Sequence, residues 1–94
     1  MQSERNIRRR FRLYGRVQGV GLRYRAYYSA RSYGVTGYVK NLSDGSVEME
    51  LQAPEECIDK MFLSIEKGTF IRIDNVEVKD IPVKDDEREF RVAE

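Results

Sequence analysis

The sequence predicts an α+β sandwich in which one antiparallel sheet carries two helices on a single face. Three observations lead there. Short stretches with alternating apolar residues flank two stretches with helical apolar spacing. Glycines and a proline stand where those helices would begin and end. The resulting order is β-α-β-β-α-β, followed by a short terminal strand. With 94 residues there is room for one hydrophobic core. The expected division is a flexible polar segment over residues 1–7 and a single domain over residues 8–94.

Arg8 to Tyr14 alternates, with Phe11 and Leu13 on one face and Arg10, Arg12 and Tyr14 on the other. That is the period of a strand with one buried side. Gly15 and Gly19 then bracket Arg16-Val17-Gln18. Leu22, Ala26, Ala30 and Tyr33 follow at helical spacing, and Gly34 ends that helix as its left-handed cap. Val35 to Lys40 reads as a second strand. Asp44-Gly45 marks a turn into a third, Ser46 to Ala53, which directs Val47, Met49 and Leu51 inward and Glu48, Glu50 and Gln52 outward. Pro54, Glu55 and Glu56 suit the first turn of a helix, whose stripe is Ile58, Met61, Phe62 and Ile65 and whose end is Gly68. Strand character returns at Val76-Glu77-Val78 and reaches Ile81. After Pro82 and the acidic run Asp85-Asp86-Glu87, Phe90-Arg91-Val92 forms a short strand at the sheet edge. This order is the ferredoxin-like split β-α-β sandwich, an arrangement that hosts many functions and selects none.

Composition narrows the setting. Apolar residues make up 40% and charged residues 35% of the chain, the balance of a soluble domain rather than a membrane span. The start is basic, but Phe11-Arg12-Leu13 interrupts any apolar region a secretory signal would need. The single cysteine, Cys57, excludes an internal disulfide and fits a reducing compartment, so the expectation is a cytoplasmic monomer. Charge is unevenly placed. Residues 1–47 carry ten Lys or Arg against two Asp or Glu, and residues 48–94 carry seven against fourteen. A basic half attracts anions unless the acidic half lies over it in space.

The segment from Gly15 to Arg23 has the parts of an anion site. A strand, a glycine-bracketed loop and a helix start supply backbone N–H donors, and the helix dipole adds positive character. Arg23, in the first helical turn, offers two parallel N–H bonds to a phosphate. The loop lacks the Gly-Lys-Ser/Thr of a Walker motif and is not G-x-G-x-x-G. On these residues alone, an ordinary turn followed by a surface arginine fits equally well.

The string Gly15-Arg16-Val17-Gln18-Gly19-Val20-Gly21-Leu22-Arg23 resembles the acylphosphatase signature, G-x-V-Q-G-V-x-aromatic-R. Eighteen residues beyond Arg23, Gly37-Tyr38-Val39-Lys40-Asn41 resembles the second signature of that family, which Asp44-Gly45-Ser46-Val47 continues. The resemblance implies hydrolysis of a small acyl phosphate to a carboxylate and inorganic phosphate. It implies that Arg23 binds the phosphoryl oxygens, and that the loop Gly15, Arg16, Val17, Gln18, Gly19 and Val20 cradles the same group. Asn41 would hold the attacking water. It implies no metal, no cofactor and no nucleic-acid or membrane partner. The residue types agree. The chain has no histidine, and an acyl phosphate has a good leaving group, so positioning and charge stabilisation suffice. Leu22 departs from the family's usual aromatic residue, Gly21 from its frequent bulky one, and Ala53 from a frequent glycine.

Other features have plainer readings. The tyrosines at 24, 27, 28, 33 and 38 suit packing and surface more than base stacking. Cys57 is a small half-buried side chain, and Arg8-Arg9-Arg10 a solvated strand start. An RNA-recognition module is the competing class on this architecture, but Val47-Glu48-Met49-Glu50-Leu51 lacks its third-strand motif. A phosphate-loop unit of a larger carbamoyl-transfer protein is the third, and would bring zinc-binding cysteine pairs.

Overall fold

A computed structural model describes residues 5–93 of the chain. Strands β1 (Asn6–Arg16), β2 (Thr36–Asn41), β3 (Val47–Pro54), β4 (Arg72–Ile81) and β5 (Phe90–Ala93) form one sheet in the order β4-β1-β3-β2-β5. Helices α1 (Leu22–Tyr33) and α2 (Glu55–Glu66) pack together on one face of it. Four strands are mutually antiparallel, as expected, but β5 lies parallel to β2, with Phe90 beside Gly37 and Val92 beside Val39. Strand β1 starts two residues earlier than its apolar alternation suggests, because Asn6 and Ile7 pair with Pro54 and Ala53 of β3. Residues 1–4 of the segment expected to be flexible, and residue 94, lie outside the described residues.

The core follows the alternation. Phe11 and Leu13 of β1, Val39 of β2, and Val47, Met49 and Leu51 of β3 meet Leu22, Ala26 and Ala30 of α1 and Ile58, Met61 and Ile65 of α2. Phe62 stacks on Phe11 with ring centroids 5.3 Å apart, and Cys57 packs half-buried against the core. Tyr33, expected on the buried stripe of α1, is 36% exposed, and Ser29 takes that place through a 2.9 Å hydrogen bond to Ser64 of α2.

The face opposite the helices holds the main departure from the sequence reading. Glu50 and Gln52 do point away from the apolar core, yet they are only 4% and 5% exposed. The connection between β4 and β5 crosses over them. Lys84 N–H donates to Gln52 Oε1 at 2.8 Å, and Gln52 Nε2 donates to the Lys84 carbonyl at 2.9 Å. Arg8, expected at the surface, is buried beneath the same connection and donates to Glu50, Gln52 and Glu87. Arg9 pairs with Asp80 and Glu55, Arg10 with Glu50, and Arg12 with Asp44. Arg8, Arg9 and Arg10 of the basic first half are thus paired with carboxylates of the acidic second half, whereas Arg12 pairs with Asp44 of its own half. Burial alone would raise the carboxyls of Glu50 and Glu87, but hydrogen bonds from Arg8, with Arg10 and Tyr38 at Glu50, hold both below the usual range.

Candidate active site

The end of β1 shapes the loop that follows. Its pairing with β4 shifts register at a bulge between Tyr14 and Gly15 and continues through Arg16, after which the chain leaves the sheet. Only glycine fits there: a Cβ on Gly15 would stand 2.4 Å from the Arg72 carbonyl oxygen. Val17 then drops into the core, fully buried. Gln18 turns its side chain to the β2–β3 turn, where Nε2 donates to the carbonyls of Leu42 and Ser46 at 2.7 and 2.9 Å. These two side chains fix the loop from beneath. Gly21 precedes α1 at φ 80°, a left-handed conformation that glycine adopts without strain. Among the described residues, the N–H groups of Gln18, Gly19, Val20 and Gly21 make no backbone hydrogen bond. The first turn of α1 adds the N–H groups that every helix start leaves free.

Arg23 and Asn41 line one cleft of about 390 Å³ together with Val17, Gly19, Gly21, Leu22, Tyr24 and Val92. Arg23 forms no ion pair among the described residues, in contrast to Arg8, Arg9, Arg10 and Arg12. Asn41, the last residue of β2, pairs with Val47 of β3 and leads directly into the Leu42–Ser46 turn. Its Oδ1 is buried with no hydrogen-bond partner among the described residues. A buried acceptor left without a partner is rare in folded proteins. The turn beside it is stiff. Leu42 N–H donates to the Ser46 carbonyl at 2.9 Å, and Asp44 accepts from Ser46 N–H at 2.9 Å. Hydrogen bonds from the Ser46 hydroxyl and amide, then from Arg12, hold the Asp44 carboxyl down to about 2.

Of the residues expected at the site, Arg23, Asn41, Val17 and Gly19 come together in the cleft. Gly15, Arg16, Gln18 and Val20 do not line it: Gly15 and Arg16 remain in β1, Gln18 anchors the loop, and Val20 borders a neighbouring groove. Tyr24 and Val92 were not foreseen. Tyr24 follows Arg23 directly and is exposed, a hint that was available. Val92 reaches the cleft only because β5 runs parallel to β2, which nothing in a four-residue strand announces.

What this arrangement offers is a loop with backbone N–H groups free of backbone partners, one unpaired guanidinium and one buried amide oxygen. It suits a tetrahedral dianion with a water beside it. The acylphosphatase family model matches residues 9–92. The acylphosphatase of Caldanaerobacter subterraneus subsp. tengcongensis is 45% identical over 82 residues, which is 86% of this chain and 91% of that one. The crystal structure of acylphosphatase from Bacillus subtilis superposes with a TM-score of 0.86 at 28% identity, covering 94% of this chain and 99% of that chain. The fold also matches 12% of the T. kodakarensis HypF chain, with a TM-score of 0.81 and 32% identity over 94% of this chain.

Proposed function

The chain belongs to the acylphosphatase family, and from that premise we propose that Arg23, the 15–20 loop and Asn41 hydrolyse small acyl phosphates. The observation that carries the assignment is the sharing of one cleft by an unpaired guanidinium and a buried, unpartnered Asn41 Oδ1.

In this reading Arg23 binds two phosphoryl oxygens, and the loop N–H groups bind the third. Water donates one proton in a hydrogen bond to Asn41 Oδ1, which aims its lone pair at phosphorus. The water oxygen forms the new P–O bond as the bond to the acyl oxygen breaks, and the carboxylate leaves with that electron pair. The water's second proton passes to a phosphoryl oxygen, so the products are a carboxylate and dihydrogen phosphate. Asparagine takes no proton at any point, and the leaving group needs none. No metal enters the scheme. The setting we infer is a monomer in the cytoplasm, testable by sedimentation and by fractionation.

The test is hydrolysis of benzoyl phosphate in the presence of a chelator, with circular dichroism as the control for folding. Arg23→Ala and Asn41→Ala should each lower kcat by at least about 100-fold while remaining folded. Arg23→Lys should recover little, because an ammonium cannot form the paired bonds. Near-normal turnover by Asn41→Ala would remove the water-positioning role.

A further inference from the structure

A second hollow adjoins the catalytic cleft. It encloses about 520 Å³, within the range of about 300–1,000 Å³ typical of small-molecule sites. It runs along the face of α1 that looks toward the end of α2 and the chain leading to β4. Tyr24 and Tyr28, one helical turn apart, form one wall, and Phe70 and Ile71 form part of the other. The floor is tied. Arg25 Nε donates to the Ser64 carbonyl at 2.6 Å, and the hydroxyls of Ser29 and Ser64 lie 2.9 Å apart.

Two features join this groove to the cleft. Gly21 and Tyr24 line both hollows. At Gly21 the junction is open, since a Cβ built there would meet nothing within 4 Å. The aromatic rings are also displayed rather than packed away. Tyr24 is 68% and Phe70 67% exposed, on a chain whose surface is otherwise rich in paired charges. Tyr28 stands edge-on to Tyr24 with centroids 4.8 Å apart, which fixes both rings without covering their outer faces.

We propose that this groove is the acyl subsite, and that it selects acyl phosphates with an aromatic or similarly planar apolar acyl group. The inference rests on the roles assigned above to Arg23 and Asn41. In-line displacement sets the leaving oxygen on the side of phosphorus opposite the attacking water. Asn41 lines the cleft and not the groove, whereas Gly21 and Tyr24 line both. A water held at Asn41 therefore directs the acyl oxygen away from β2, across Gly21 and past Tyr24. A two-carbon acyl group ends near that junction. A ring continues between Tyr28 and Phe70, where aromatic contact and loss of apolar surface to water favour it.

The experiment compares kcat/KM for benzoyl phosphate and acetyl phosphate in the wild type, Tyr28→Ala, Phe70→Ala and Leu63→Ala, each checked by circular dichroism and size-exclusion chromatography. Leu63 is exposed on α2 and lines a different hollow, so it serves as the control. The benzoyl-to-acetyl ratio should fall about fivefold in Tyr28→Ala and Phe70→Ala, through KM for benzoyl phosphate, and hold in Leu63→Ala. An unchanged ratio in both groove variants overturns the subsite while leaving the hydrolase reading intact. An unchanged ratio accompanied by a shift from dimer to monomer overturns it in favour of a self-association face. A wild type inert toward both compounds overturns the underlying site assignment and this proposal together.

Discussion

Gln18 Nε2 donates to the Leu42 carbonyl oxygen at 2.7 Å, which fastens the loop after β1 to the residue that follows Asn41. The same amide nitrogen reaches the Ser46 carbonyl at 2.9 Å. One side chain thus holds the loop after β1 and the end of β2 at a fixed separation. Gln18→Ala should lower kcat/KM about tenfold and stability by about 1–2 kcal/mol, since two carbonyls lose a donor. Steady-state kinetics and urea denaturation on the same preparation check both. Unchanged kinetics would mean that Val17 alone anchors the loop.

Acid should loosen this region in a predictable direction. Asp44, Glu50 and Glu87 all have carboxyls held below their ordinary values in the folded chain, Asp44 down to about 2. For a group whose pKa is depressed by folding, the unfolded chain binds protons more tightly. The stabilisation is then complete above the unfolded pKa and is lost as pH falls through the folded one. The urea midpoint should hold above about pH 5 and decline steadily toward pH 2. A flat midpoint across that range would show that these bonds add nothing to stability. Asp44→Asn should soften that decline, because it removes a carboxyl held down to about 2.

Arg8 separates fold from site. It lies on the sheet face away from the helices, buried with Glu50 and Glu87, whereas the cleft is built from the loop, α1 and the strand ends. Arg8→Ala leaves two carboxylates without their shared cation and should cost about 3 kcal/mol of stability. At a temperature where the variant stays folded, kcat/KM for benzoyl phosphate should remain within about twofold of the wild type. A large kinetic loss without unfolding would mean that the two sheet faces communicate.

Much of this architecture is legible in the sequence because local chemistry and burial coincide. Leu22, Ala26 and Ala30 lie under α1 as their spacing requires, and Gly34 caps the helix with its N–H on the Ala30 carbonyl. Strand β4 is half legible. Val76-Glu77-Val78 alternates, but Arg72 to Asn75 offers only Ile73 as an apolar residue and is strand through its pairing with β1 at the sheet edge. The burial of Arg8, Glu50 and Gln52 is not legible, since their cover comes from Lys84 and Glu87, more than thirty residues distant along the chain. The same holds for the cleft. Arg23 and Asn41 could be named through the family resemblance that their two motifs carry, whereas Val92 depended on the direction of a four-residue strand.

That last strand bears on how the protein acquires its activity. The cleft draws on residues near position 20, on Asn41 and on Val92, so its perimeter spans almost the entire polypeptide. Contacts this distant along the chain close late, after local helices and hairpins have formed. On the ribosome, Arg23 and Asn41 emerge dozens of residues before the wall that completes their enclosure. Catalytic turnover therefore reports the final step of assembly, and a truncated chain lacking β5 would keep both polar residues while leaving their cleft open to water.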